Sequence, residues 1–304
     1  MKPKVIVIVG PTASGKTDLS IRLAKEMNGE IISADSMQIY KKMTIGTAKP
    51  TEEEMQGIVH HMIDIVEPNE DFNVAKYKKM AEDKIEEILS KGKQPIIVGG
   101  TGLYVDTLIK GIEFFDIEND FEYRKKLEEE TKRNGVDWLF EKLKQIDPDA
   151  AMSIEKNNVR RVIRALEIYK VTGKTKTQLD KESIKGTKFD YIVFGMLWDR
   201  EKLYDRINLR VDLMLELGLV DEVKNLLEKE GFSKTALQGL GYKEVVEYLE
   251  NNISYSDMVE KIKMETRRYA KRQMTWFNRN KDIIWLDASD KSSLVDLVLK
   301  QLGD

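Results

Sequence analysis

Residues 4–17 read Lys-Val-Ile-Val-Ile-Val-Gly-Pro-Thr-Ala-Ser-Gly-Lys-Thr, and this segment decides the fold. Val5–Val9 is an apolar run of strand length, typical of a parallel strand that is buried on both faces. The eight residues after it match the phosphate-binding loop pattern, a glycine and four residues followed by Gly-Lys-Ser/Thr. Such glycines let the backbone curl so that several N–H groups face one anion, and the helix that begins there adds its positive end. The segment therefore predicts a site for a diphosphate or triphosphate.

Every residue of this loop is a candidate contact for the phosphate groups. The eight candidates are Gly10, Pro11, Thr12, Ala13, Ser14, Gly15, Lys16 and Thr17. Lys16 would neutralise phosphate charge, and the Thr17 hydroxyl would help to hold Mg²⁺. The pattern identifies neither the compound that carries the phosphates nor a transfer of phosphate.

The N-terminal third of the chain alternates between strand and helix patterns. After the loop we expect a helix over Lys16–Met27 and strands at Glu30–Ala34 and Gln94–Val98. We also expect a helix between the last two of these strands, with an N-terminal cap at Asn73 and a C-terminal stop at Gly92. The alternation predicts an α/β fold, a P-loop NTPase-like core whose parallel sheet is flanked by helices.

The next segment is highly charged and has no clear strand pattern. Helical patterns recur in it at Tyr123–Thr131, Val136–Gln145 and Asn158–Val171. A strand pattern returns at Tyr191–Trp198. We therefore predict a discontinuous core, residues 1–113 and 191–304, interrupted by an all-helical domain at 114–190.

The C-terminal part predicts three helices and a last strand. The expected helices are Arg200–Leu217, Leu219–Lys229 and Ser256–Asn280, and the strand is Ile283–Leu286. The longest of these helices has an apolar stripe that predicts its buried face. The stripe consists of Val259, Ile262, Tyr269, Ala270, Met274 and Phe277.

Composition excludes several classes of protein. With 41% hydrophobic and 34% charged residues among 304, the chain is not disordered, and no stretch approaches the ~20 apolar residues of a membrane-spanning helix. It has no cysteine, which excludes disulfides, thiol catalysis, zinc fingers and iron–sulfur clusters. The N-terminus lacks the apolar region and cleavage site of a signal peptide, so we expect a cytoplasmic protein.

The net charge of −3 conceals two basic segments. Residues 156–176 carry seven basic residues and one acidic residue, and residues 260–281 carry eight and two. Such segments suit contact with a polyanion, although solvated helix faces are the commoner explanation. In the second segment aromatic rings alternate with cations, as in sites for unpaired RNA bases. Tyr269 and Phe277, however, lie on the predicted buried stripe.

Two candidate residues fall at the carboxyl edge of the sheet, where parallel α/β folds bind ligands. Asp35 follows the second strand, where its carboxylate would hold Mg²⁺ through water, cap a helix or act as a base. The third strand ends in Gly99-Gly100-Thr101, without the acid that a nucleotide kinase would place there to orient a metal. This small-residue turn either lets a second substrate approach the Thr101 hydroxyl or is only a tight entry to a helix.

Other charged residues allow two interpretations. Arg206 and Arg210 are four residues apart on one predicted helix, so their side chains share a face. Two cations there suit a diphosphate leaving group, unless acids pair with them or the face is merely solvated. His60 and His61 are the only histidines, and adjacent side chains make a poor metal pair, so we expect structural roles for both.

The combined motifs resemble the tRNA dimethylallyltransferase (isopentenyl transferase) family, in its bacterial form. The matching segments follow the family order over nearly the whole chain. They are Gly-Pro-Thr-Ala-Ser-Gly-Lys-Thr at 10–17, Ser-Ala-Asp-Ser-Met-Gln-Ile-Tyr at 33–40, Ile-Gly-Thr-Ala-Lys-Pro at 45–50, His-His-Met-Ile-Asp at 60–64, Val-Gly-Gly-Thr-Gly-Leu-Tyr at 98–104, Arg-Ala-Leu-Glu at 164–167, Gln-Gly-Leu-Gly-Tyr-Lys-Glu at 238–244 and Thr-Arg-Arg-Tyr-Ala-Lys-Arg-Gln-Met-Thr-Trp-Phe at 266–277. The chain departs from many eukaryotic members because, without cysteine, it cannot form their zinc finger.

The resemblance implies a transfer of the dimethylallyl group from dimethylallyl diphosphate to N6 of the adenosine next to the tRNA anticodon, at tRNA position 37. The products would be N6-(dimethylallyl)adenosine and diphosphate. Asp35 would be the general base for the attacking amino group. Lys16, Arg210 and Thr17 with Mg²⁺ would stabilise the departing diphosphate, and Thr101 would lie beside the reacting centre.

The resemblance also implies that the helical insertion binds the anticodon stem-loop and that the adenosine leaves its stack to enter the site. The positions that match tRNA-contacting family residues are Asp35, Ser36, Met37, Gln38, Thr101, Arg124, Arg160, Arg161, Val162, Ile163 and Arg164. The expected partners are tRNA and dimethylallyl diphosphate, with no membrane, and we expect a monomer.

Two other functions stay open on the residues alone. A P-loop kinase of a nucleotide or small metabolite would turn over ATP through Lys16 and would not need the basic insertion. A nucleotide-gated RNA-binding protein would bind tRNA and leave it chemically unchanged. A base at Asp35 and a small-residue turn at Thr101 in the same crevice argue against both.

Overall fold

One six-stranded sheet organises the computed structural model, which describes residues 2–115, 117–290 and 293–303. Its strands are β1 (Lys4–Val9), β2 (Gly29–Ser33), β3 (His60–His61), β4 (Gln94–Gly99), β5 (Asp190–Leu197) and β6 (Ile284–Asp287). They pair in parallel in the order β3-β2-β4-β1-β5-β6. The predicted α/β fold with a parallel sheet flanked by helices is confirmed.

The helices occupy most of the remaining described residues. They are α1 (Lys16–Glu26), α2 (Glu52–Met55), α3 (Val74–Ser90), α4 (Gly102–Ile109), α5 (Phe121–Ile146), α6 (Pro148–Ser153), α7 (Val159–Thr172), α8 (Lys176–Ser183), α9 (Arg200–Glu216), α10 (Leu219–Lys229), α11 (Tyr242–Leu249), α12 (Tyr255–Phe277) and α13 (Leu294–Gly303). Most predicted ends are within two residues of these bounds, because caps mark them. The Asn73 side chain, for example, accepts a hydrogen bond from Lys76 N–H at the start of α3. Among the described helices none is both long and apolar enough to span a membrane.

β1 lies at the centre of the sheet, and both of its faces are buried. Side chains from its odd-numbered positions pack in one apolar core, and those from its even-numbered positions pack in the other. The first set is Val5, Val7 and Val9, and the second is Ile6 and Ile8. Each such side chain contributes about 1.5–3 kcal/mol through removal from water. Val9 pairs with Gly99 and with Gly195, so β1 delivers the loop after it to the middle of the carboxyl edge.

The chain divides into two compact units, and the second is formed by Lys110–Thr187. The first unit contains the sheet and comprises residues 1–109 and 188–304. In the second unit, Gly135 (φ 86°) bends α5 between the two stretches that the sequence predicts as separate helices. An isolated antiparallel bridge joins Ile112 to Ile184, close to the two ends of the unit. The second unit has its own apolar core, which includes Leu127, Leu139, Leu143, Val162 and Leu166.

The buried face of α12 differs from the predicted apolar stripe. The stripe residues that are buried are Ile262, Ala270 and Phe277, and those that are only partly buried are Val259, Tyr269 and Met274. Two polar residues, Thr266 and Gln273, are buried on this helix instead. A hydrophobic pattern does not predict them, because a polar side chain is buried where the fold supplies hydrogen-bond partners.

The two histidines of β3 have structural partners. His61 Nε2 lies 2.7 Å from Glu30 Oε2, and His60 Nδ1 lies 2.9 Å from the Ile58 carbonyl oxygen. The buried Glu30 carboxylate also accepts a hydrogen bond of 2.7 Å from Lys93 Nζ. Burial alone would raise the pKa of Glu30, but the hydrogen bonds from Lys93 and His61 and the nearby cations hold it at about 2.

Replacing this buried carboxylate with an amide should lower stability at neutral pH. In Glu30→Gln the neighbouring cations lose their counter-charge, and we expect the free energy of unfolding to fall by about 1–3 kcal/mol. The folded pKa of about 2 lies below the ordinary value of 4.5, so the carboxylate's contribution is complete above pH 4.5 and is lost as the pH falls towards 2. Denaturant unfolding at pH 7 and pH 3 should therefore show a smaller difference between variant and wild type at pH 3. An equal difference at the two pH values would contradict this account.

Candidate active site

The phosphate-binding loop, residues 10–17, joins β1 to α1 and needs positive backbone angles. Gly10 has φ 149°, Ala13 has φ 62° and Gly15 has φ 89°. A Cβ at Gly10 would also lie 3.0 Å from Met196 Cβ on β5, so only glycine fits there without a shift. Gly15 is the N-cap of α1 and has no side chain to bond the first N–H groups of the helix, which are left for an anion.

Two side chains hold this loop, Trp198 from the residue after β5 and Arg206 from α9. Arg206 Nε donates to the Ala13 carbonyl oxygen at 2.8 Å, and Trp198 Nε1 donates to the Ser14 carbonyl oxygen at 2.8 Å. The Arg206 guanidinium also lies over the Trp198 ring, 4.6 Å from its centroid. These bonds satisfy the carbonyl groups of Ala13 and Ser14 and so help to hold the loop in its conformation. The sequence indicated Arg206 as a candidate cation, but it gave no sign that Trp198 supports the loop.

Lys16 and Arg210 place two partly buried cations beside the phosphate-binding loop. Burial and the charge of Arg210 lower the pKa of Lys16 to about 7, against the opposing effect of Asp35. Burial and the charge of Arg206 lower the pKa of Arg210 from its ordinary value. Lys16 Nζ donates to the Pro11 carbonyl oxygen at 2.6 Å. Because the charged forms are disfavoured here, a bound anion would stabilise them, which suits a diphosphate.

The structure brings Asp35 and Thr101 together at the carboxyl edge of the sheet. Asp35 Oδ1 accepts hydrogen bonds from Met37 N–H at 2.9 Å and from Gln38 N–H at 3.4 Å. This is a capping contact, but it closes a turn and not a helix. Thr101 Oγ1 accepts a hydrogen bond from Ser36 N–H at 3.0 Å and lies 3.3 Å from Ser36 Oγ. These bonds fix the direction of the Asp35 carboxylate and the Thr101 hydroxyl.

A cavity of about 310 Å³ lies between the phosphate-binding loop and this edge of the sheet. Its polar lining includes Thr12, Asp35, Ser36 and Arg210, and its apolar lining includes Val211, Met214, Leu240 and Ile262. A second cleft, of about 270 Å³, is lined by Ala13, Ser14, Gly15, Lys16, Thr17, Asp18, Arg206 and Arg210, among others. Arg210 therefore borders both spaces, the mainly polar cleft and the partly apolar cavity.

One wall of the larger cavity is a loop held by a single carboxylate. Glu222 of α10 accepts hydrogen bonds from the N–H groups of Thr44 (2.9 Å), Ile45 (2.7 Å) and Gly46 (3.2 Å). It also accepts one from the Tyr242 hydroxyl at 2.6 Å. A Cβ at Gly46 would lie 2.5 Å from a ring carbon of Tyr242. Glycine thus lets the loop pack against the ring, and neither Glu222 nor Tyr242 was singled out from the sequence.

Thr17 is exposed in the second cleft, which Asp18 and Glu54 also line. Within the ranges that the structure describes, no group of three or more His, Asp or Glu side chains is placed to hold a metal ion. Mg²⁺ commonly keeps several waters and binds through one or two protein oxygens together with substrate phosphates. The Thr17 hydroxyl fits such a site only in combination with a bound diphosphate.

Two of the candidate tRNA-binding arginines of the second unit share one carboxylate. Arg124 Nε donates to Glu167 Oε1 at 2.7 Å, and an Arg164 guanidinium nitrogen donates to Glu167 Oε2 at 2.5 Å. Glu167 is fully buried; burial raises its pKa, but these arginines hold it below its ordinary value. Arg160 and Arg161 are exposed in the first turn of α7.

Other candidate tRNA contacts differ in accessibility. Asp35, Ser36 and Met37 line the larger cavity. The amide nitrogen of Gln38 instead donates to the carbonyl oxygens of Thr47 (3.3 Å) and Ala48 (3.2 Å). Val162 and Ile163 are buried in the core of the second unit, so RNA would meet only backbone atoms at these two positions. Tyr269, which the apolar stripe assigned to the core, lines the cavity beside Asp35.

A diphosphate should raise the pKa of Lys16, because an anion favours the charged form. With a pKa of about 7, roughly half of the Lys16 side chains are neutral at pH 7, so binding of inorganic diphosphate should take up as much as half a proton there. Calorimetric titrations in buffers of different ionisation enthalpy measure this uptake. Lys16→Arg stays charged and serves as the control for protons taken up by the diphosphate itself. Equal uptake by wild type and Lys16→Arg would show that Lys16 is already charged.

Comparisons with known proteins agree on one family. A family model described as IPP transferase matches residues 38–280. A tRNA dimethylallyltransferase of Acetivibrio thermocellus is 56% identical over 292 residues, which are 95% of this chain and 93% of that protein. Another, from Alkaliphilus oremlandii, is 50% identical over 305 residues, or 99% of this chain and 97% of that protein.

Solved structures show the same relationship. A tRNA isopentenylpyrophosphate transferase from Bacillus halodurans is 44% identical, with a TM-score of 0.74 over 99% of this chain and 96% of that one. A eukaryotic dimethylallyltransferase captured acting on tRNA is 36% identical, with a TM-score of 0.76 over 95% of this chain and 75% of that one. The family match covers most of the chain, and the relatives cover nearly all of it. This chain therefore belongs to the IPP transferase family.

Proposed function

We propose that this chain is a tRNA dimethylallyltransferase. It transfers the dimethylallyl group of dimethylallyl diphosphate to N6 of the adenosine at tRNA position 37 and releases diphosphate. The observation that carries the proposal is a single cavity that Thr12 of the phosphate-binding loop, Asp35 and Arg210 all line. The names of the relatives in both comparisons point to the same reaction.

Prenyl transfer accounts for the shape of the site better than phosphoryl transfer does. The diphosphate fits the cationic cleft at Lys16, and the five-carbon group fits the apolar lining of the cavity, with Arg210 bordering both spaces. β4 ends at Gly99, followed by Gly100 and Thr101, and so brings no acid to the place where a nucleotide kinase orients its metal. A kinase that transfers only a phosphoryl group does not account for the apolar lining of the larger cavity.

The reaction exchanges one bond to the allylic carbon for another. The bond between C1 of the dimethylallyl group and the diphosphate oxygen breaks, and a bond from C1 to adenine N6 forms. The N6 amino group loses one proton, which Asp35 accepts as general base. The two backbone N–H groups that donate to Asp35 Oδ1 keep the carboxylate aimed at the cavity, and Thr101 is held beside it through Ser36.

The leaving diphosphate gains negative charge as the C–O bond breaks. Lys16, Arg210 and the backbone N–H groups at the start of α1 stabilise that charge, and they are preorganised by the fold. The Thr17 hydroxyl would hold Mg²⁺ together with the diphosphate oxygens. When bound there, the ion neutralises phosphate charge.

The helical insertion, taken as residues 114–190, binds the anticodon stem-loop in this proposal. Arg160 and Arg161 are exposed cations for the RNA backbone, while Arg124 and Arg164 are oriented by Glu167. The adenosine must leave its stack to reach the cavity. Because the proposed substrate is tRNA, we expect the enzyme to act in the cytoplasm. We also expect it to act as a monomer.

The reaction can be tested with purified protein, unmodified tRNA, Mg²⁺ and dimethylallyl diphosphate, with ATP replacing the allylic donor in a parallel tube. We expect one adenosine per tRNA to gain the mass of a dimethylallyl group, only with the allylic donor, as read by nucleoside mass spectrometry. ATP consumption without modified adenosine would support a kinase and overturn the proposal. Binding of tRNA with no change in either tube would support the RNA-binding alternative.

Asp35→Asn should separate binding from catalysis. The asparagine oxygen can still accept from Met37 N–H, so the turn persists, but the side chain is no longer a base at neutral pH. We expect kcat to fall about 10²- to 10⁴-fold with little change in the Kd for tRNA. Asp83→Asn, at an exposed position on α3, is the matched control and should behave as wild type. Near-normal turnover in Asp35→Asn would remove Asp35 as the base.

A further inference from the structure

Gln273 of α12 is a buried amide whose two ends bond to two different parts of the active site. Its Oε1 accepts a hydrogen bond of 2.9 Å from Thr12 N–H in the phosphate-binding loop. Its Nε2 donates a hydrogen bond of 2.9 Å to the Gly100 carbonyl oxygen in the turn before α4. The side chain is 6% exposed, so water does not compete for either bond.

The absence of a side chain at Gly100 makes room for this amide. A Cβ placed on Gly100 would lie 2.1 Å from Gln273 Nε2, closer than any real contact. Gly100 is not one of the glycines with a positive φ, so glycine is needed there for room and not for conformation. The next residue, Thr101, donates its N–H to the Ala34 carbonyl oxygen at 3.1 Å, which ties the turn to the residue before Asp35.

A neighbouring ring extends the connection to the reacting groups. Tyr269 lies one helical turn before Gln273, and its hydroxyl is close to the side chains of Thr101 and Gln273. It also lines the cavity together with Asp35 and Thr12. The loop, the amide, the ring and the threonine hydroxyl thus form one continuous path from the diphosphate site to the adenine side of the cavity.

We propose that Gln273 is a positioning residue that sets the distance between the phosphate-binding loop and the Thr101 turn, so that the leaving diphosphate and the attacking adenosine are aligned by one buried amide. It touches neither reactant. The assignment of the two sides to donor and adenosine rests on the proposed function, whereas the effect of Gln273 on the loop does not. Misplacing a substrate by about 1 Å can lower a reaction rate about 10²-fold. Loss of the two hydrogen bonds of the Gln273 amide should therefore lower the rate measurably.

Gln273→Met tests the bridge, since methionine has a similar length but neither bonding group. We expect the Kd for inorganic diphosphate to rise about tenfold and kcat for prenyl transfer to fall about ten- to a hundredfold, with the Kd for tRNA unchanged. Gln301→Met, an exposed amide on α13, is the matched control. If Gln273→Met lowers only the melting temperature and the folded enzyme keeps its kcat and its diphosphate affinity, Gln273 is structural and the proposal fails.

A double-mutant cycle with Gly100→Ala gives an independent test. The added Cβ should push the amide away and lower kcat as Gln273→Met does. In Gly100→Ala/Gln273→Ala the atom that collides is gone, so we expect the double variant to be no worse than Gln273→Ala alone. Losses that multiply would show that the two positions act separately and would overturn the bridge. If wild type binds diphosphate but transfers no prenyl group, the proposed function fails, and the diphosphate Kd of Gln273→Met still decides the effect on the loop.

Discussion

The structure depends on holding one short loop in a conformation that the backbone alone does not favour. The loop after β1 must aim N–H groups inward and carbonyls outward, and the outward carbonyls need donors. Arg206 and Trp198 supply two of these donors, from positions nearly 200 residues along the chain. The order of strands around β1 makes this possible, because β5 lies beside β1 and brings Trp198 and α9 to the loop. The phosphate site is therefore a product of the whole sheet and not of the motif alone.

Electrostatics at the site follow from the same packing. Lys16, Arg206 and Arg210 line the same cleft, and burial together with mutual repulsion lowers the pKa of Lys16 and of Arg210. Asp35 is the nearby counter-charge that opposes this effect. A polyanionic ligand relieves the repulsion between these cations. Part of the selectivity for a diphosphate therefore comes from the unfavourable electrostatic energy of the free site. The carboxylate that serves as counter-charge is also the proposed base, which links donor binding to proton acceptance.

Sequence reasoning predicted what depends on local pattern. The loop, β1, the caps of α3 and the helical character of the insertion all follow from spacing and residue type. The family that the motifs resemble is confirmed by the comparisons. Sequence reasoning did not predict Gln273, Trp198, Glu222 or Tyr242 as site residues, because each acts through a partner distant in sequence. A buried glutamine in a basic helix has no pattern of its own until the fold supplies Thr12 and Gly100 as its partners. For the same reason Tyr269 looked like core: its spacing is helical, but the cavity lies on that side of α12.

The placement of β1 has a consequence for synthesis of the chain on the ribosome. Of the described strands β1 emerges before the others. Its partner β4 is complete by Gly99, but its other partner, β5, begins only at Asp190. Between those points one edge of a central apolar strand has no neighbour, which is a template for wrong pairing. The unit Lys110–Thr187 has its own core and can bury it during that interval. Nascent chains that end before residue 190 should therefore be the aggregation-prone species, and the hazard ends when β5 leaves the exit tunnel.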